Sequence, residues 1–181
     1  MKRFLRIFLF GCLTIGMLYG GSVRTEAKTP DEYDLKVVFL YRFLSFISWP
    51  EHTVGNGTLD MCILGQDPFG KRLKIIENQK TPKRQIRVRR GVSFTDFPSC
   101  HILFIAQSEK EWLRKVLDKT ETLPLLTVSD IPEFAAQGGM IGFITDKQRK
   151  IKFEVNLKSA NQANVKIDAQ MLEVAQRVVD R

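Results

Sequence analysis

The stretch Ser99-Cys100-His101-Ile102-Leu103-Phe104-Ile105-Ala106 constrains this chain more than any other. Side chains of an extended strand alternate between two faces, so four consecutive apolar residues need cover on both sides. Similar short runs recur at 61–64, 124–128 and 140–144. Segments with helical spacing lie between them. The pattern predicts strands at 59–65, 84–90, 100–106 and 124–128, and helices at 69–78, 108–119 and 129–135. Alternation of this kind calls for an α/β fold, a mostly parallel sheet with helices on both faces. Residues 140–144 and 151–155 flank a charged turn at 146–150 and read as an antiparallel hairpin at one edge. An amphipathic helix over 168–179, with Met171, Leu172, Val174, Ala175 and Val178 inward, closes the chain.

The compartment decides what Cys100 does. Lys2, Arg3 and Arg6 precede an apolar run from Ile7 to Tyr19, and Thr25 and Ala27 sit two apart, as at a small-residue cleavage site. Residues 1–27 read as a secretory signal peptide, leaving 28–181 as one domain in the periplasm. The apolar run is shorter than the roughly 20 residues of a membrane span. Cys12 leaves with the signal, and Cys62 and Cys100 remain. An even count in an exported protein reads as a disulfide. It would close a loop worth roughly 4 kcal/mol by chain entropy. A nucleophile would need a base and an orienting group. His101 is adjacent to Cys100 and would point to the opposite face of a strand. His52 is the only other histidine. No metal ligand set and no cofactor motif is evident.

Charge narrows the partners. The full chain carries a formal +8; losing Lys2, Arg3, Arg6 and Arg24 against Glu26 leaves +5. The dense basic cluster, 83–90, alternates Arg87 and Arg89 with Ile86 and Val88. That is a strand with one wet face, an edge defended by charge. Nucleic acid would require a basic groove with stacking aromatics, and none is expected as a partner. A patch for an acidic partner is the functional alternative.

Residues 31–49 predict a helix capped at Asp31 or Thr29 and stopped by Pro50. Between Val37 and Trp49 the polar residues Arg42, Ser45 and Ser48 form one narrow strip, so the helix is apolar nearly all round. Such a helix is central, or it meets a second protein. Phe39, Tyr41, Arg42, Phe43 and Phe46, together with Arg87 and Arg89, are the candidate partner-binding residues.

Open parallel sheets bind ligands beyond the carboxyl ends of their strands. The turns there would line a crevice with Asp67, Ser108, Glu109, Ser129 and Asp130. Three carboxylates could hold a hard cation or do acid–base work. The same acids also stand where helix caps want them, with Ser108 and Glu111 spaced as a capping box. No nucleophile is paired with a base, so no enzyme is predicted.

In this order the chain resembles the YfiR family of exported regulators. The resemblance is carried by Phe39-Leu40-Tyr41-Arg42-Phe43 through Trp49-Pro50, Cys62-Ile63-Leu64-Gly65-Gln66-Asp67-Pro68-Phe69-Gly70, Cys100-His101-Ile102-Leu103-Phe104-Ile105 with Ser108-Glu109, Leu126-Thr127-Val128-Ser129-Asp130, Gly138-Gly139-Met140-Ile141 and Phe153-Glu154-Val155-Asn156-Leu157. It implies a Rossmann-like three-layer sandwich without catalysis, in the periplasm. It also implies repression of a membrane diguanylate cyclase through its periplasmic sensor region, and so control of cyclic di-GMP and biofilm growth. Other envelope sensor proteins, an outer-membrane lipoprotein and a homodimer are further partners this reading admits. A small-ligand sensor signalling to a histidine kinase or chemoreceptor is the alternative. Some members carry a second cysteine pair that this chain lacks.

Overall fold

The apolar runs do form the strands. The computed structural model describes residues 31–53, 57–77, 79 and 84–179; the expected signal peptide lies outside them. The chain runs α1 (Glu32–Phe46), β1 (Ile47–Ser48), β2 (Thr58–Leu64), β3 (Gln85–Arg90), β4 (Ile102–Ile105), α2 (Leu113–Thr120), β5 (Leu126–Ser129), β6 (Ile141–Thr145), β7 (Ile151–Asn156), α3 (Leu157–Gln162), β8 (Lys166–Ile167), α4 (Ala169–Glu173) and β9 (Arg177–Val179). Seven strands make one sheet in the order β3-β2-β4-β5-β6-β7-β9. Only β6 and β7 pair antiparallel in it, as the hairpin expected from the charged turn. β1 and β8 pair as a separate two-stranded ribbon.

Strict alternation splits the core in two. Met61, Ile63, Ile102 and Phe104 join α1 on one face of the sheet. Cys62, Leu64, Leu103 and Ile105 join α2 on the other. The basic run 85–90 is the outer strand beside β2, the edge its charges suggested.

Five local expectations give way. The first helix stops at Phe46, because Ile47 and Ser48 pair with Ile167 and Lys166. Its start is as read: Asp31 accepts from the Tyr33 N–H and exchanges a reciprocal cap with Asp34. The helix expected at 69–78 is one 3-10 turn, Gly70–Ile75, in which only Leu73 is buried. One anchor is too little to offset the nucleation cost of an α-helix.

The capping box at Ser108 does not form, since that hydroxyl is taken by the Gln66 N–H, 2.9 Å away. Gln107–Trp112 is a 3-10 turn, α2 starts only at Leu113, and Trp112 is exposed rather than inward. Ser129 and Asp130 start no helix either. Ser129 completes β5, and the chain returns through turns to Gly138. Gly139 packs so close to the Phe134 ring that a Cβ would overlap it.

The largest difference is at the C-terminus. The expected helix 168–179 ends at Glu173, and Arg177–Val179 add a parallel strand to β7. Arg177 binds Glu154 at 2.8 Å, and the Gln176 N–H donates to the Phe153 carbonyl. Val174 and Val178 are left exposed. Here the pairing of an open sheet edge overrides the helical spacing. α3, capped by the Asn156 side chain on the Ser159 N–H, was not foreseen.

Candidate functional site

The chain leaves β2 for β3, then crosses back to β4 on the other side of β2, so the strand order reverses between the parallel β2 and β4. Loops diverge at such a point, and ligands commonly bind there. In this protein the two loops are stitched together. Gly65 has φ +84, and a Cβ on it would collide with the side chains of Ser108 and Glu109. The Gln66 N–H donates to Ser108 Oγ, and the Ser108 hydroxyl donates to Glu109 Oε1 at 3.2 Å. Asp67 Oδ1 accepts from the N–H groups of Phe69 and Gly70, at 2.7 and 3.2 Å. Its other oxygen accepts from Arg90 Nε at 3.1 Å. Of the five expected crevice residues, Ser108 and Glu109 meet the Gly65–Gln66 turn and hold the two loops against each other, while Asp67 caps its own turn and ties it to the end of β3.

Ser129 and Asp130 lie one strand further on, deep in the fold. Ser129 Oγ donates to the Ile105 carbonyl at 2.7 Å and accepts from the Ile131 N–H. Asp130 Oδ2 meets Lys36 Nζ at 2.6 Å and accepts from the Tyr33 hydroxyl at 3.1 Å. Lys36 also meets Glu32 at 2.6 Å and sits 4.3 Å from the Tyr33 ring centre. Lys36 and Asp130 are both almost fully buried. Burial and the Asp130 charge push the Tyr33 pKa up to about 12. Asp130 Oδ1 is buried with no hydrogen-bond partner among the described residues. A buried ion pair adds little net stability, yet removing one partner costs about 3–5 kcal/mol. Its effect is positional: it pins the first turns of α1 to the end of β5. Sequence reasoning missed Lys36. The only signal was a lone lysine one residue before the apolar run.

The bridge is present. Cys62 and Cys100 are joined, with their Cα atoms 5.9 Å apart and 38 positions between them. Cys100 ends the 3-10 turn Phe94–Ser99 and lies just before β4. His101 faces the other way, as its neighbouring position requires. Its Nδ1 accepts from the Asp60 N–H at 3.0 Å, and Nε2 lies 3.2 Å from the Thr53 carbonyl, which assigns the proton to Nε2. Trp49 Nε1 donates to the His101 carbonyl. Burial holds the imidazole pKa below its ordinary 6.5; Asp60 opposes this, and Arg84 and Arg87 reinforce it.

The arginines of β3 are occupied within the fold. Arg87 grips both oxygens of buried Asp60, its register partner on β2. Arg89 holds Asp96 and Ser99, and Arg90 holds Asp67 and Glu77. On α1, Phe39 and Phe43 pack against Phe143 and Phe153, with ring centres 5.2 to 6.0 Å apart. Phe43 is buried, Phe39, Tyr41 and Phe46 are half-buried, and Arg42 is exposed. Among the described residues no three His, Cys, Asp or Glu side chains gather as a metal site, and no helix is long and apolar enough to cross a membrane.

With this geometry in hand, the YfiR/HmsC-like family profile matches residues 33–176. The chain belongs to the YfiR/HmsC-like family. The match runs from the first turn of α1 to the residue before β9, so it takes in the bridge, the stitched loops and the Lys36–Asp130 pair. No curated protein sequence matches the chain. Among solved structures, a conserved domain protein from Vibrio cholerae O1 biovar eltor superposes with a TM-score of 0.53 at 8% identity, over 81% of this chain and 60% of that one. The ABC domain in complex with L-Trp from Streptococcus pneumonia gives 0.49 at 9% identity, over the same shares. The chain therefore spans about three-fifths of the solved chains it resembles. At 8% identity the likeness to the Vibrio cholerae protein is one of fold, an α/β domain.

Proposed function

We propose that this protein is an exported regulator that binds the periplasmic sensor region of a membrane diguanylate cyclase and represses it, holding cyclic di-GMP down and restraining biofilm growth. The observation that carries this reading is the family match over 33–176. Export of the segment after residue 27 agrees with the Cys62–Cys100 bridge, a bond that persists in oxidising compartments. The use of the polar groups agrees as well. Asp67 caps a turn, Glu109 packs on Gly65, and Asp130 pairs with Lys36, so the carboxylates at the strand ends serve the fold. The bridge keeps the fold competent to bind, and its reduction weakens that fold as a whole and with it repression.

The test is deletion of the gene in its native host, with cyclic di-GMP measured by mass spectrometry. A several-fold rise, reversed by the wild-type chain, is expected, together with co-purification of this protein with a full-length cyclase. Unchanged cyclic di-GMP overturns the proposal.

One observation favours the small-ligand alternative. A cavity of about 660 Å³ opens between the β1–β8 ribbon and the start of β5, lined by Trp49, Glu51, Thr122, Asn161, Asn164 and Lys166 among others. That volume is in the range of ligand pockets. A metabolite that raises the melting temperature, and loses this effect in Asn161→Ala protein, would move the function to sensing.

A further inference from the structure

α1 is apolar nearly all round in sequence but not buried all round. Leu35, Val38, Arg42 and Ser45 share its outer face. Beside that face runs the 3-10 turn Gly70–Ile75, which leaves Ile75 57% exposed. Val38, Tyr41, Ile75, Ile76 and Gln79 together line an apolar groove of about 190 Å³. Val38 is 48% exposed and Leu35 36%. Single apolar side chains scattered on a surface mean little. Here two of them, Val38 and Ile75, line one concavity.

Cations flank the lining residues along both elements. Exposed Arg42 follows Tyr41 and stands one helical turn from Val38; exposed Lys74 precedes Ile75, with Lys71 three positions earlier on the same 3-10 segment; among the described residues none of the three forms an ion pair. Arg72, on the same turn, is by contrast held by Asp31 and Asp34. An apolar floor edged by free cations selects its complement.

We propose that this groove docks an amphipathic helix of the partner protein, one large apolar side chain anchored between Val38 and Ile75 and carboxylates at its flanks meeting Arg42, Lys71 and Lys74. This is helix-in-groove recognition, with the buried anchor supplying affinity and the charges supplying selection. The proposal rests on the regulatory reading above and says where that partner binds. Charge argues against the other occupants. A second copy on a two-fold axis would set these cations against their own equivalents. The chain's own first thirty residues carry Lys2, Arg3, Arg6, Arg24 and Lys28 against Glu26 alone. An anionic membrane would match the charge, but its flat surface does not reach Tyr41 and Ile76, which line a recess.

A photo-reactive phenylalanine placed at Val38 or Ile75 of the full chain, in its native envelope, reads the contact directly, with Trp112 on the opposite face of the sheet as control. Cross-links from Val38 and Ile75, but not from Trp112, to a peptide with apolar residues at helical spacing and flanking Asp or Glu support the proposal. Arg42→Glu with Lys74→Glu is expected to cut that cross-link at least tenfold. Cross-links to a second copy, to the chain's own N-terminal segment or to lipid overturn it. So does a cross-link that survives the charge reversal. Val38→Asp with Ile75→Asp separates the two proposals. If this protein melts as wild type and still lowers cyclic di-GMP in the deletion strain, the groove is wrong and the regulatory reading stands. If deletion leaves cyclic di-GMP unchanged while the acid-flanked cross-link forms, the groove stands and the cyclase reading falls.

Discussion

The two faces of the sheet are held in different ways. On one, the fifteen-residue α1 packs on the sheet, with its Phe39 and Phe43 interlocked with Phe143 of β6 and Phe153 of β7. On the other, the cover is assembled from the 3-10 turns Phe94–Ser99 and Gln107–Trp112 and an eight-residue α2. Short turns bury few side chains each, so this second layer gains less from hydrophobic area. The Cys62–Cys100 bond lies on that side and ties the end of a 3-10 turn to β2. One face is secured by packing and the other by packing with a covalent tie. A face built from short pieces therefore depends on the bond staying oxidised in a way its counterpart does not.

That contrast can be broken from either side. The largest effect is expected for Phe43→Ala, which opens a cavity inside the ring cluster and costs up to about 5 kcal/mol in urea unfolding. Its denaturant dependence should stay that of wild type, because the unfolded chain is unchanged. Cys62→Ser comes next, at roughly 4 kcal/mol from release of the loop. Here the denaturant dependence should steepen, since the reduced chain exposes more surface when unfolded. An equal slope in both variants would remove the distinction between the faces. The smallest effect concerns His101, which lies on the α1 side but next to the bridge. Its folded pKa is depressed, so below about 6.5 the unfolded chain takes up a proton that the folded one resists. The stability tied to His101 is complete above that pH and declines as pH falls below it. A melting temperature that drops from pH 7 to 5 in wild type, and less steeply in His101→Gln, is the expected outcome.

Much of this was legible in advance because it is local or categorical. Ile102 to Ile105 could only be a strand covered on both faces, and it is buried throughout. Cys62 and Cys100, the two cysteines beyond the expected signal peptide, are read as a pair, and they are joined. The side chains at the candidate site were less legible. Ser108 reads as a helix cap, and Gly65 reads as a turn residue. That each is needed because the other is there depends on how close β2 and β4 bring two loops about forty positions apart.

Taken alone, the sequence determined the α/β class, the parallel strands, the hairpin and the disulfide, since each follows from periodicity or parity within short reach. Tertiary structure decided what the polar groups and the chain ends do. Lys36 found Asp130 across 94 positions, Asp60 found Arg87 on a neighbouring strand, and residues 177–179 became a strand rather than the end of a helix. It also decided which side of α1 stays open. The polar strip of Arg42 and Ser45 marks the outer face, but nothing in the pattern shows that Leu35 and Val38 also lie open on it, because that is set by what the rest of the fold leaves uncovered. The physical reason is common to these cases. A buried charge or an open edge costs too much to leave unpaired, and the partner that relieves it is fixed by proximity in space rather than along the chain.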